Sequence, residues 1–222
     1  MGGIVDAAAI ILSQATQRVE IVSHNLANTS TIGYKRRVGF AESAGVKLSE
    51  RPDFSVGQLQ TTGAPEHLAI AGQGFFAVRA GEEVLYTRQG RFVRDGEGRL
   101  TTPDGGVLLA EGGRELIVEP GFEVAPNGVV LVRGEPGQKI ALVGFEDLSV
   151  LSPAADGFRA PEGAARAIDA TVRQGALEAA NVATGQEMIV MIEALRRAEA
   201  GQRLVNVYDD LLGRATTTFG QP

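Results

Sequence analysis

The sequence predicts an α+β protein in which N- and C-terminal helices pair in a coiled-coil-like bundle and an antiparallel all-β domain is inserted between them. Three observations carry that prediction. A helical apolar stripe opens the chain, a heptad-like seam closes it, and between them lies a series of short β-prone pieces cut by Gly and Asp turns.

The first helix is read from Ile4, Ala8, Ile11, Ala15, Val19, Val22 and Leu26, which recur at steps of four, three, four, four, three and four. That spacing lines one face of a helix. Asp6, Ser13, Gln14, Gln17 and Glu20 occupy other positions. Residues 4–28 would span about 37 Å at about 1.5 Å per residue. The stripe ends in a polar knot, "NLANTSTIGYKRR", residues 25–37. Asn28 tolerates the left-handed conformation and can cap the last turn. Thr29, Ser30 and Thr31 can bond to local backbone and block further helix. Gly33 supplies any positive φ the turn needs, and Tyr34 offers a ring to the helix end. "YKRR" is the dense basic cluster of the chain. Cations just past a helix C-terminus complement its dipole.

The last helix is read from Met191, Ala198, Val205, Leu212 and Phe219, seven apart without a slip. Ala194, Gly201, Tyr208 and Ala215 fall three residues after the first four of these. This is a heptad-like seam of mixed large and small residues. Ile192, Leu195, Leu204 and Leu211 flank it and widen the apolar face. Such a helix has more than one neighbour to satisfy.

Between the helices the rhythm turns strand-like. "AGEE", "RDGEG" and "PDGG" cut residues 74–110 into strands at 75–79, 84–88, 91–94, 99–102 and 107–110. Further strands are expected at 116–119, 122–125, 129–133 and 139–145, with the turn "PNG" at 126–128. The organisation that follows is a helix and turn over 1–37, a linker over 38–62, the β domain over 63–158, a linker over 159–176 and the second helix over 177–222.

Composition excludes several classes. The chain has 222 residues, 44% of them hydrophobic, and a net charge of -6, which opposes a nucleic-acid interface. It contains no cysteine, so disulfides, zinc thiolates and cysteine nucleophiles are all excluded. "AAAIIL" is too short to span a membrane, and no Lys or Arg precedes it as a cleaved secretory signal requires.

No catalytic, cofactor or metal site emerges. His24 and His67 carry no metal-ligand spacing. "AGQGFF" lacks the third glycine and the following helix of a phosphate loop. Asp95, Glu97 and Asp104 fall in turns, where Asp is favoured for backbone reasons. Interaction surfaces, not chemistry, are the expected function, and no small-molecule substrate is expected.

"SHNLANTSTIGYKR" resembles the N-terminal signature of the bacterial flagellar axial proteins, the rod and hook family. The likeness falls on Asn25, Leu26, Ala27, Asn28, Thr31, Gly33, Tyr34 and Lys35. "LAIAGQGFFAV" and "YTRQGRFVRDGEGRLTTPDGGVLL" resemble that family's shared β region. "GALEAANVATGQEMIVMIEALRRAEAGQRLVNVYDDLLGRA" resembles its C-terminal helix at Leu177, Glu178, Asn181, Val182, Met188, Ile192 and Arg196. The chain departs from the pattern at "AANV", where the family usually has Ser before Asn-Val, and at Gly185, which costs an early helical turn about 1 kcal/mol relative to Ala.

The resemblance implies a structural subunit of the basal-body rod, a non-enzyme that polymerises through its terminal helices into the drive shaft for motility. Copies of itself, other rod subunits and the flagellar type III export apparatus would be its partners. It would reside in the rod in the periplasmic space, exported without a cleaved signal peptide. Within the family the compact β region and the short 38–62 segment fit the proximal rod, with the distal rod as alternative. A rival from another class is a secreted β-rich enzyme or binding module whose helices pack on their own sheet. A coiled-coil adaptor would account for the heptads but not for the knot or the β insertion.

Overall fold

The computed structural model describes residues 3–41, 48–155 and 157–219. The chain forms two compact units, one of Met1–Thr29, Arg36–Asp53 and Val182–Pro222, the other of Ser30–Lys35 and Phe54–Asn181.

The first unit is built on helix α1, Gly3–Ala27, and helix α2, Thr184–Phe219. They run antiparallel: Asn25 meets Glu187 at one end, and Leu12 meets Gly201 further along. Small residues permit the approach. A Cβ on Gly201 would lie 3.0 Å from Leu12 Cγ and 3.2 Å from Ile11 Cγ2, closer than carbon atoms rest without displacement.

A hairpin of β1, Arg37–Ala41, and β2, Leu48–Pro52, packs on α1 in the same unit. Here the sequence reading expected a linker. "LSERP" lacks the alternation of a half-buried strand, and its pairing comes from backbone bonds and from α1. Ile21 of α1 lies over Gly39, where a Cβ would approach Ile21 Cδ1 to 2.7 Å. Gln17 Oε1 accepts a bond from Leu48 N at 2.6 Å.

The second helix begins at Thr184, not at residue 177. Ala176–Glu178 is instead a strand paired with Leu59–Thr61, in the register Ala176↔Thr61 and Glu178↔Leu59. Ala, Leu and Glu favour helix locally, but Gly175 turns the chain at φ 70° and the backbone of 59–61 claims the next three residues.

The second unit is a β body whose described strand pairs are all antiparallel. Its largest sheet orders Ser152–Ala154, Gly157–Arg159, Glu83–Thr87, Phe75–Ala80, Val107–Leu108, Leu100–Thr101 and Val93–Arg94, with Leu142–Gly144 also paired to Phe75–Ala80. Phe76, Val78, Phe92, Leu100, Leu108 and Ile140 fill the core beneath it.

The expected strand 139–145 is two strands, Glu135–Lys139 and Leu142–Gly144, that serve different sheets. Lys139 pairs with Val129 while Leu142 pairs with Phe76, and the fully buried Ile140 between them bridges to Ala110. One apolar run thus switches partners, which periodicity cannot reveal.

Candidate assembly surface

In the first unit the two stripes meet side by side. Ala8, Ala15 and Val22 of α1 and Ala194 and Gly201 of α2 are buried, while Val19, Leu26, Met191, Ala198, Val205 and Tyr208 are half-buried. Ile11 is more open, although its Cγ2 still borders Gly201. The side chains of Ile4, Leu212 and Phe219 lie outside the described residues.

The knot that follows α1 is a set of buried polar contacts. Asn25 is fully buried and clasps the backbone of Arg37: its Oδ1 accepts from Arg37 N at 2.8 Å and its Nδ2 donates to Arg37 O at 2.9 Å. The same Nδ2 donates to Glu187 Oε2 at 3.0 Å. Glu187, in the first turn of α2 and 1% exposed, also takes the guanidinium of Arg36 on Oε1. A buried carboxylate is thereby bound on both oxygens, as its desolvation requires.

Asn28 caps α1 with its side chain, donating from Nδ2 to His24 O at 2.8 Å. Its backbone is not left-handed; among the described residues Arg133 alone outside glycine has positive φ. Thr29 Oγ1 donates to Leu26 O at 3.0 Å, and Thr31 O accepts from Tyr34 N at 3.3 Å.

The rest of the motif belongs to the second unit. Gly33 has φ 69°, and a Cβ there would stand 2.4 Å from Arg88 C and 2.5 Å from Gln89 N. Its N–H donates to Glu178 O at 2.8 Å. Lys35 is buried, with Nζ 2.6 Å from Glu178 Oε1 and 2.8 Å from Ser55 O. Arg88 Nη1 donates to Glu178 Oε2 at 3.0 Å, and Gly57 N donates to Oε1 at 2.8 Å. Burial pulls the Arg88 guanidinium down from its ordinary value, while the charge and hydrogen bond of Glu178 pull it back up. Its face rests over the Phe75 ring, 5.5 Å from the centroid.

The sequence reading assigned the basic cluster to the dipole of α1. The structure instead gives Lys35 and Arg36 to two internal carboxylates. Glu178, Glu187 and Arg88 were not expected as partners. The available signal was that Glu178 and Glu187 are acids in otherwise apolar or small surroundings, "GALEAAN" and "GQEMIVM".

What the helix pair leaves uncovered is the other side of α2. Met188, Ile189, Val207 and Leu211 are each more than half exposed, and Ile192, Leu195 and Leu204 lie near them on that helix. They fall in two groups, 188–195 and 204–211, with Arg196, Arg197, Glu199 and Arg203 exposed between them, and exposed apolar patches of this kind are where partners bind. The flanks expected to need a second neighbour, Ile192, Leu195, Leu204 and Leu211, are among those left open. No helix among the described residues is long and apolar enough to cross a membrane, and no group of His, Cys, Asp or Glu among them could hold a metal.

Two terminal helices with a large exposed apolar face on α2, and an antiparallel β unit inserted between them in the chain, are the features of a protein that associates through its surface. Residues 12–35 match the family described as flagella basal body rod protein, residues 69–132 the flagellar hook protein FlgE/F/G D1 domain, and residues 173–218 the flagellar basal body rod FlgEFG protein C-terminal. The chain is 30% identical to the flagellar basal-body rod protein FlgF of Caulobacter vibrioides, over 92% of this chain and 93% of that one. It is 29% identical to FlgF of Salmonella typhimurium, over 91% and 92%, and 24% identical to the rod protein FlgG of Bacillus subtilis, over 88% and 90%. The chain belongs to the flagellar basal-body rod and hook protein family. It is a structural subunit of the flagellar rod, and its family is not one of enzymes.

Proposed function

We propose that this chain is a proximal, FlgF-like rod subunit that polymerises through its terminal helices with copies of itself and with other rod subunits. The helices pair in a coiled-coil-like manner, and the outer face of α2 receives helices from neighbours. Subunits that add head to tail without closing on themselves build a filament. The rod so formed stands in the periplasmic space and transmits torque for motility. Its subunits reach it through the flagellar type III export apparatus.

The observation that carries this reading is the uncovered apolar series Met188, Ile189, Ile192, Leu195, Leu204, Val207 and Leu211. The proximal assignment is supported by the FlgF relatives, which align over nearly their whole length at higher identity than the FlgG relatives. Val205, Tyr208 and the other seam residues hold the pair together, and Leu212 and Phe219 extend the same spacing.

Complementation tests both parts. In the source bacterium, cells lacking the chromosomal copy should stop swimming and regain motility with the wild-type chain. The Ile189→Asp and Val207→Asp chains should be exported yet fail to restore it. Swimming at the wild-type rate with both variants would reject the α2 face as an assembly surface. Rescue of a strain lacking the distal rod subunit instead would favour the FlgG-like assignment.

A further inference from the structure

Asn25 precedes Leu, Asn28 precedes Thr, and Asn181 and Asn206 precede Val, whereas Asn127 precedes glycine. The pairing matters chemically, because a glycine nitrogen has no side chain beside it to hinder attack on the neighbouring amide carbon. In that reaction Gly128 N bonds to Asn127 Cγ, the Cγ–Nδ2 bond breaks, and the Gly128 proton leaves with Nδ2 as ammonia. The product is a cyclic imide. Water then opens it at either carbonyl, giving aspartate, or isoaspartate with the main chain running through Cγ.

The fold places this pair in the turn between Glu123–Val124 and Val129–Val132, which are antiparallel neighbours. Asn127 is exposed, so water reaches its amide, but Gly128 is buried. Gly128 N donates to Ala125 O at 2.8 Å, and Gly128 O accepts from Ile140 N at 2.9 Å. On either side, Pro126 O accepts from Val172 N at 2.8 Å and Ala125 N donates to Val129 O at 2.9 Å. Asn127 Oδ1 accepts from Val129 N at 3.2 Å, which holds the side-chain amide in place. Gly128 has φ 80°, and a Cβ there would stand 3.4 Å from Leu142 Cδ1 and 3.7 Å from Val172 Cγ2. The core walls the glycine in.

We propose that Asn127–Gly128 is a deamidation site that the folded β unit withholds and an opened chain releases, and whose isoaspartate product the turn cannot rebuild. The attacking nitrogen is engaged by Ala125 O. Closing the imide ring requires turning the peptide between the two residues, which breaks that bond and displaces the glycine carbonyl from Ile140. Reaction therefore passes through a local opening of the turn. The two products fare differently when the turn closes again. Aspartate keeps an Oδ1 for Val129 N and the original backbone length. Isoaspartate adds a methylene to the main chain where four backbone bonds fix the spacing of Ala125, Pro126, Gly128 and Val129. The site lies within the β unit, and the inference is independent of the assembly reading.

Trypsin isolates the site. Cleavage after Arg114 and Arg133 releases residues 115–133, in which Asn127 is the one amide side chain. The purified full-length chain is held in mildly alkaline buffer, with and without enough guanidinium chloride to unfold it, and sampled over days. Mass spectrometry of the peptide gives the deamidated fraction, and chromatography separates aspartate from isoaspartate. Chain deamidated in denaturant is then diluted, and the refolded monomer is collected by gel filtration for the same reading.

The expected result is deamidation slower in the folded chain by roughly tenfold or more, because the turn must open first. Isoaspartate should be depleted from the refolded monomer, while aspartate is retained in proportion to asparagine. The Asn127→Asp chain should melt like the wild type. Equal deamidation rates with and without denaturant would overturn the proposal, since the turn would then guard nothing. Absence of deamidation in denaturant overturns it equally, because the pair would not be a reactive site. Isoaspartate recovered in the refolded monomer as fully as aspartate would overturn it as well, because the turn would then accept the longer chain.

Discussion

Lys35 Nζ lies 2.6 Å from Glu178 Oε1 across 143 residues of chain, with both side chains 1% exposed. With Arg88 at 3.0 Å on the other oxygen, one buried carboxylate joins three distant segments of the β unit. The charges are costly to bury and therefore costly to separate.

Glu178→Ala should destabilise the β unit by about 3–5 kcal/mol, because it strands two buried cations at once. Urea unfolding followed by tyrosine fluorescence reads this. A loss under about 1 kcal/mol would mean that water reaches Lys35 and Arg88 once the carboxylate is gone.

Gly33→Val should cost about 3 kcal/mol or more, since a β-branched residue is strained at φ 69° and its Cβ would meet the backbone of Arg88 at 2.4 Å. Gly63→Ala, at φ 75° with open space around it, is the control and should cost about 1 kcal/mol. Equal melting temperatures for the two variants would contradict the close approach.

Val205→Asp places a charge in the half-buried seam and should lower the helical signal of the free chain by loosening the α1–α2 pair. Ile189→Asp, on the exposed side of α2, should leave monomer stability within about 0.5 kcal/mol. Thermal melts by circular dichroism separate the two roles, and similar losses in both would show that the outer face is occupied within the monomer.

Acid should weaken the turn at residues 95–99. Desolvation raises the Asp95 carboxyl, but the hydrogen bonds and charge of Arg99 outweigh it and hold the group below its ordinary range. Asp95 Oδ2 accepts from Arg99 Nε at 2.7 Å and Oδ1 from Arg99 N at 2.8 Å. A carboxyl depressed by folding contributes its stability above the unfolded value of about 4 and loses it as pH falls through the folded value. Asp95→Asn should therefore be less stable than wild type at neutral pH, with the gap closing below about pH 4. A gap independent of pH between 7 and 3 would argue against the linkage.

Much of this was legible in the chain. The α1 stripe needed only 3.6-residue periodicity, and the strands around residues 75–87 needed only alternation and turn residues, because each is settled by neighbours close in sequence. The heptad seam of α2 and its apolar flanks were equally local. The three matching motifs, read in order, pointed to the family before any contact was known.

What the sequence by itself determined, then, was which segments are helix or strand-prone and which helix faces are apolar. Tertiary structure decided the rest. Ala176–Glu178 is a strand because Leu59–Thr61 offers its edge, against local helix preference. Arg37–Ala41 and Leu48–Pro52 pair because α1 covers them. Lys35, Glu178 and Glu187 look like surface charges in one dimension and are buried in three, with Arg36 half-buried against Glu187. The reason is one of range: backbone preference and periodicity act within a few residues, whereas the partner that makes a buried charge tolerable can lie anywhere along the chain.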